Sequence, residues 1–84
     1  MYSIRIKRSA SKQLEKLPQK VAERLVKVID NLAENPRPDG VKKLQGTENY
    51  YRIRLTDYRI IYSIADNELI VEVIKVGHRK DVYK

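Results

Sequence analysis

The chain has no cysteine, no tryptophan and no phenylalanine, and a single histidine among its 84 residues. Without cysteine there is neither a disulfide framework nor a thiol nucleophile, and His78 alone cannot complete a structural zinc site. Hydrolytic chemistry would fall to side-chain acids, bases and cations, or to a metal held by carboxylates. Long apolar runs are missing too: the longest is far below the ~18 residues a membrane span needs. Met1–Lys7 holds no apolar stretch of the kind that marks a signal peptide. Acid is the scarcer charge, with 11 Asp and Glu against 18 Lys and Arg, for a net charge of +7. The expectation is one basic, cytoplasmic domain over residues 1–84 that engages no membrane. A chain of this size buries a little over ~60% of its unfolded surface.

Such a charge excess favours a polyanion: nucleic acid, a ribosome or an acidic protein. Residues 1–35 hold eight cations and four anions, and residues 36–84 hold ten and seven. There is no basic tail, so the placement of the charges has to identify the partner.

No repeat, low-complexity tract or linker interrupts the chain. Tyr2, Ile4 and Ile6 alternate with Ser3, Arg5 and Lys7, the period of a half-buried strand. Ser9 or Ser11 is suited to cap a short helix carrying Leu14 and Leu17. Pro18 then suits the first position of a second helix. Its stripe is Val21, Leu25, Val28 and Leu32, widened by Val26, Ile29 and Ala33. Asn35-Pro36-Arg37-Pro38-Asp39-Gly40 stops it. Lys43-Leu44-Gln45-Gly46 and Thr47-Glu48-Asn49 read as a connector. Three β-branched and aromatic runs follow: Tyr50 to Leu55, Tyr58 to Ile64 and Leu69 to Val76. The fold class is α+β: an N-terminal strand, a two-helix hairpin, then a three-stranded antiparallel meander, with the helices on one face of a twisted sheet.

Register gives this layout a functional content. If Thr56-Asp57 is a two-residue turn, Leu55 pairs with Tyr58, Arg54 with Arg59 and Arg52 with Ile61. Alternation then puts Tyr51, Ile53, Leu55, Tyr58, Ile60 and Tyr62 under the helices, and Arg52, Arg54 and Arg59 on the other face. A turn at Asp66-Asn67 pairs Ile64 with Leu69 and adds Ile70, Glu72, Ile74 and Val76 to the arginine side. Arg54 opposite Arg59 is a like-charge pair, which destabilises a sheet by a few tenths to ~1 kcal/mol. The arginines share their face with exposed Ile61, Ile70 and Ile74. Together these features point to an anion-binding surface with an apolar floor for a partner. Gly77 permits a change of direction that returns Arg79, Tyr83 and His78 to this face.

Three stretches carry a resemblance over almost the whole chain: Lys43-Leu44-Gln45-Gly46; Tyr51-Arg52-Ile53-Arg54-Leu55 with Tyr58-Arg59-Ile60-Ile61-Tyr62; and Val76-Gly77-His78-Arg79 with Val82-Tyr83. In this order and spacing they resemble the RelE/ParE superfamily of type II toxins, on the RelE side. The resemblance implies a ribosome-dependent endoribonuclease, an mRNA interferase that cuts mRNA in the A site by 2′-OH attack and so inhibits translation. It implies no metal and no small-molecule cofactor. By position it makes Arg52, Arg54, Arg59, Arg79 and Tyr83 the catalytic set, with His78 as a further proton-transfer candidate. Lys43, Tyr50 and Lys80 join Arg52 and Arg59 as RNA contacts. The family often has Lys where this chain has Arg52 and Arg54. A guanidinium stays protonated, so proton transfer is left to Tyr83 or His78. The resemblance also implies an acidic antitoxin over Ile61, Ile70 and Ile74, acting by covering the arginines or by displacing Arg79 and Tyr83. Many members end in a helix near the active site, and this chain is expected to lack one. Two other readings stand beside it: a ParE-like toxin that poisons DNA gyrase, and an inactive member that only binds antitoxin or nucleic acid.

Overall fold

A computed structural model describes residues 1–46 and 49–82. Thr47 and Glu48 of the connector, and the candidate Tyr83, lie outside the described residues. The elements run β1 (Ser3–Ile6), α1 (Arg8–Glu15), α2 (Gln19–Asn31), β2 (Lys42–Lys43), β3 (Tyr50–Leu55), β4 (Tyr58–Ala65), β5 (Ile70–His78) and α3 (Arg79–Val82). They form a five-stranded sheet in the order β1-β5-β4-β3-β2. β1 runs parallel to β5, and the other pairs are antiparallel. The two-helix hairpin between β1 and the meander covers one face, as the apolar periodicity requires.

The core lies between that hairpin and the inner face. Ala10 of α1, Leu25 and Ile29 of α2 and Leu32 just beyond it pack on Tyr51, Ile53, Ile60, Tyr62, Ile64, Val71, Val73 and Val76. Val21 and Val28 complete the stripe as partly buried residues, whereas Val26 faces outward. The helix starts also differ from expectation. Lys7 is the N-cap of α1 and makes no side-chain cap, and Ser9 and Ser11 lie within the helix. Pro18 is the N-cap of α2 rather than its first residue. Its missing N–H costs nothing there either, because a donor at that position has no carbonyl within the helix to reach, and its own carbonyl accepts from Ala22 N–H at 3.0 Å.

The β3–β4 register is the expected one, from Tyr50↔Ser63 through Arg54↔Arg59 to Leu55↔Tyr58. The β4–β5 register differs in two ways. Its turn spans Asp66–Leu69, with Glu68 N–H bonded to Ala65 O and Leu69 N–H to Asp66 O, so Ala65 pairs with Ile70 and Ile64 with Val71. That two-residue slip preserves the faces. Further along, the ladder steps from Tyr62↔Val73 to Ile61↔Lys75, leaving Ile74 as an extra residue. Such a bulge inverts the alternation beyond it. Val76 therefore belongs to the core, at 2% exposure, and Lys75 takes the outer position expected for Val76.

β1 ends opposite Val73, so the remaining five residues of β5, 74–78, lack that neighbour. Gln13 of α1 fills the gap, its side-chain oxygen accepting from Val76 N–H at 2.8 Å. The segment expected to be a bare tail forms one helical turn, α3, whose Val82 is buried against Gly77. A Cβ at Gly77 would meet Val82 Cγ2 at 3.5 Å, an ordinary van der Waals contact, so α3 folds back closely on the sheet at this point.

Candidate functional site

The side of the sheet away from the helices is organised in rows. Lys42, Arg52, Ile61 and Lys75 lie side by side across β2, β3, β4 and β5. The next row towards the β3–β4 turn holds Arg54, Arg59 and Gly77, and the row on the other side holds Tyr50, Ser63, Glu72 and, on β1, Arg5. Arg52, Arg54, Arg59 and Tyr50 are thus brought together as the sequence implies. Ile61 and Ile70 share the face and Ile74 bulges from it, but all three are half-buried rather than exposed.

Arg59 is the anomaly of this surface. It is only 7% exposed, yet it stands directly opposite Arg54. Its Nη1 donates to Thr56 O at 3.0 Å and to Tyr58 O at 2.9 Å, which locks the guanidinium to the β3–β4 turn. Its Nε is buried with no hydrogen-bond partner among the described residues. The partner position on β5 is Gly77, and Val82 lies over that glycine. A desolvated donor left unmatched costs about 1–3 kcal/mol, more when charged. Together with the like-charge pair, which an anion would relieve, the site carries two penalties.

Four candidates sit elsewhere. Lys43 pairs with Tyr51, so it takes the helix side, and Lys42 is the β2 lysine in the arginine row. The strand in the connector reverses the choice, because a single step along it changes faces. His78 pairs with Tyr58 beyond the bulge and so also takes the helix side. Its ring meets Tyr58 edge-on at 5.6 Å, and its Nδ1 accepts from Lys80 N–H at 3.2 Å. Arg79 and Lys80 are exposed at the start of α3, at the same end of the sheet as the Arg54–Arg59 pair. Arg79 N–H bonds Asp57 O at 2.8 Å, tying α3 to the β3–β4 turn.

The opposite end is held by a clamp that joins distant segments. Arg37 reaches both oxygens of Asp66, at 3.2 and 2.9 Å, and its Nε donates to Tyr51 Oη at 3.3 Å. Tyr2 donates to the same carboxylate at 2.7 Å. Tyr62, stacked on Tyr51, donates its hydroxyl to Pro36 O at 2.7 Å, and burial pushes its phenol well above the ordinary 10. The bonds from Arg37, then Tyr2, lower the Asp66 carboxyl below its ordinary 3.8. That contribution to stability is therefore complete above about pH 3.8 and lost as pH falls through the lowered value. Asp66→Asn should remove this part of the acid sensitivity. Melting curves between pH 7 and pH 2.5 should show a smaller drop for the variant; equal drops would refute the assignment.

Strands and helices together define the class: a small α+β domain whose sheet carries arginines on the side away from its helices. The family model for the "ParE toxin of type II toxin-antitoxin system, parDE" matches residues 4–83. The chain is 37% identical to the mRNA interferase toxin RelE of Escherichia coli K12 over 84% of its own length and 76% of that protein's. It is 32% identical to Toxin RelE of Mycobacterium tuberculosis over 99% of its length and 87% of the relative's. It also superposes on the archaeal RelE in the RelE–RelB complex of Pyrococcus horikoshii, with a TM-score of 0.83, 33% identity and coverage of 95% and 97% of the two chains. The chain belongs to the RelE/ParE family and is a RelE-like toxin of a type II toxin–antitoxin system, homologous to mRNA interferase RelE.

Proposed function

We propose that the protein is an endoribonuclease that cuts mRNA in the ribosomal A site and thereby stops translation. The observation that carries this reading is the cationic face, with Arg52, Arg54 and a desolvated Arg59 gathered at one end of the sheet. In the reaction the ribose 2′-oxygen attacks the adjacent phosphorus, the P–O5′ bond breaks, and a 2′,3′-cyclic phosphate and a free 5′-hydroxyl result. The 2′-hydroxyl gives up its proton to a base and the departing 5′-oxygen gains one. Charge collects on the non-bridging oxygens, where each preorganised donor is worth about 2.7–4 kcal/mol. Arg59 and Arg54 meet that charge, Arg52 holds the phosphate from the next row, and Arg79 attends the leaving oxygen. RNA supplies its own nucleophile, so the step calls on no metal or cofactor.

Proton transfer falls to Tyr83. Both central basic residues are guanidiniums and stay charged, while His78 takes the helix side with Nδ1 engaged by Lys80. Tyr83→Phe is expected to slow single-turnover cleavage 10²- to 10⁴-fold, the usual worth of general acid–base catalysis. Ribosome affinity should barely change. Undiminished cleavage would remove Tyr83 from the chemistry.

Tyr50, exposed beside Arg52 in the adjoining row, provides a stacking surface for a base. The partner that neutralises the toxin is an acidic, amphipathic antitoxin segment in the cytoplasm, seated on the arginines and the half-buried Ile61, Ile70 and Ile74. The RelE–RelB pairing in the archaeal complex supports this choice. Among the described residues no helix is long and apolar enough to cross a membrane.

The family model's ParE description keeps gyrase poisoning as a second reading. Purified protein added to ribosomes programmed with mRNA, and separately to gyrase with plasmid, separates them. Cut mRNA supports the nuclease, and trapped gyrase–DNA breaks with intact mRNA support the alternative.

A further inference from the structure

The bulge in β5 does more than adjust the register. Without it, strict alternation from Val73 would turn Lys75 towards the helices and Val76 outward. With it, Val76 enters the core and Lys75 joins the cationic side, in the row of Lys42, Arg52 and Ile61. Lys75 is half-buried and makes no ion pair among the described residues, although Glu72 of the same strand occupies the same face. Arg52 and Lys75 stand two strands apart, on either side of Ile61. At about 4.8 Å per strand their backbones are separated by roughly 10 Å. Both side chains are long enough to lean towards each other over the isoleucine, with their heads above an apolar floor.

We infer that Lys75 is a further RNA-binding residue, holding a backbone phosphate on the far side of Ile61 from Arg52. The inference rests on the nuclease reading and deepens it. Two cations across an apolar strip suit a ribose–phosphate chain crossing the sheet, with the sugar over Ile61 and a phosphate to either side. Glu72 lies one row further on and repels a phosphate there, so the backbone keeps to the Lys42–Lys75 and Arg54–Arg59 rows while a base reaches Tyr50 at the far, β3 side of the Glu72 row. A lysine serves here because the contact is a mobile point charge on a flanking phosphate, whereas the fixed guanidinium fork of Arg59 suits the reacting one.

The test is binding of a short, mixed-sequence RNA with 2′-O-methyl riboses, which cannot be cut, measured over a range of salt concentrations. Each phosphate contact to single-stranded RNA contributes about 0.7 to the slope of log affinity against log salt. Lys75→Ala should weaken binding several-fold at low salt and flatten the slope by about 0.7, Lys75→Arg should restore both, and Lys27→Ala on exposed α2 should change neither. If Arg52→Ala flattens the slope and Lys75→Ala does not, the inference about Lys75 is overturned while the nuclease face stands. If neither variant does, the face itself is not an RNA surface. A Lys75→Ala effect that Lys75→Arg fails to restore would assign it to altered packing at the bulge and also overturn the inference.

Discussion

Arg59→Met should lower the rate of mRNA cleavage on programmed ribosomes by 10²- to 10³-fold, the loss that follows removal of one preorganised donor to a developing oxyanion. The fold should survive the change. Methionine fills the same apolar volume and sheds the repulsion with Arg54 and the unmatched Nε donor. Against this stands the loss of the two bonds to Thr56 O and Tyr58 O. These terms oppose one another, so stability should stay within about 1 kcal/mol, a shift of some 4–8 °C in the melting midpoint for a domain of this size. Arg59→Lys should recover only part of the rate, because an ammonium cannot hold the turn carbonyls and a phosphate in one planar fork. A wild-type rate in Arg59→Met would place the reacting phosphate elsewhere.

Arg54→Glu should make the protein more stable and disable it at once. The substitution turns a repulsive cross-strand pair into an attractive one. Each contribution is a few tenths to ~1 kcal/mol, so the gain is about 0.5–1.5 kcal/mol. Cleavage should fall at least 10²-fold, since a carboxylate beside Arg59 repels the phosphate and offers it no donor. Thermal melts and single-turnover rates measured on the same preparation check both halves. A variant that is less stable, or that still cuts at the native rate, would show that the Arg54–Arg59 pair is not held together for an anion.

Much of the arginine face was legible because it depends on two local facts, the Thr56-Asp57 turn and the two-residue period of a strand. Together they set Arg54 opposite Arg59 in the register observed. Alternation fails silently where a bulge intervenes, and nothing in Val73-Ile74-Lys75-Val76 marks one. Alternation therefore put Val76 on the arginine side, which Lys75 occupies. His78 takes the helix side because β5 runs on through Gly77, read as a turn, and pairs His78 with Tyr58. Lys43 came from the resemblance, and the two-residue strand Lys42–Lys43, too short a pattern to read along the chain, brings Lys42 into the arginine row. The burial of Arg59 and the Arg37–Asp66 clamp arise from contacts between segments far apart in sequence. A pattern search along the chain has no access to either. Gly77 was read as a point of turning, and its other role, as the flat seat for Val82, belongs to packing.

On the reading proposed above, the cationic face serves an RNA that attacks its own backbone. The most direct test is an mRNA carrying a single 2′-deoxynucleotide on the 5′ side of the mapped cut, presented on the ribosome beside its all-ribose counterpart. The all-ribose message should be cut to leave a 2′,3′-cyclic phosphate, and the deoxy message should remain whole at that position. Equal cutting of both messages, with a plain 3′-hydroxyl or 3′-phosphate left behind, would assign the cut to a nucleophile other than the 2′-oxygen.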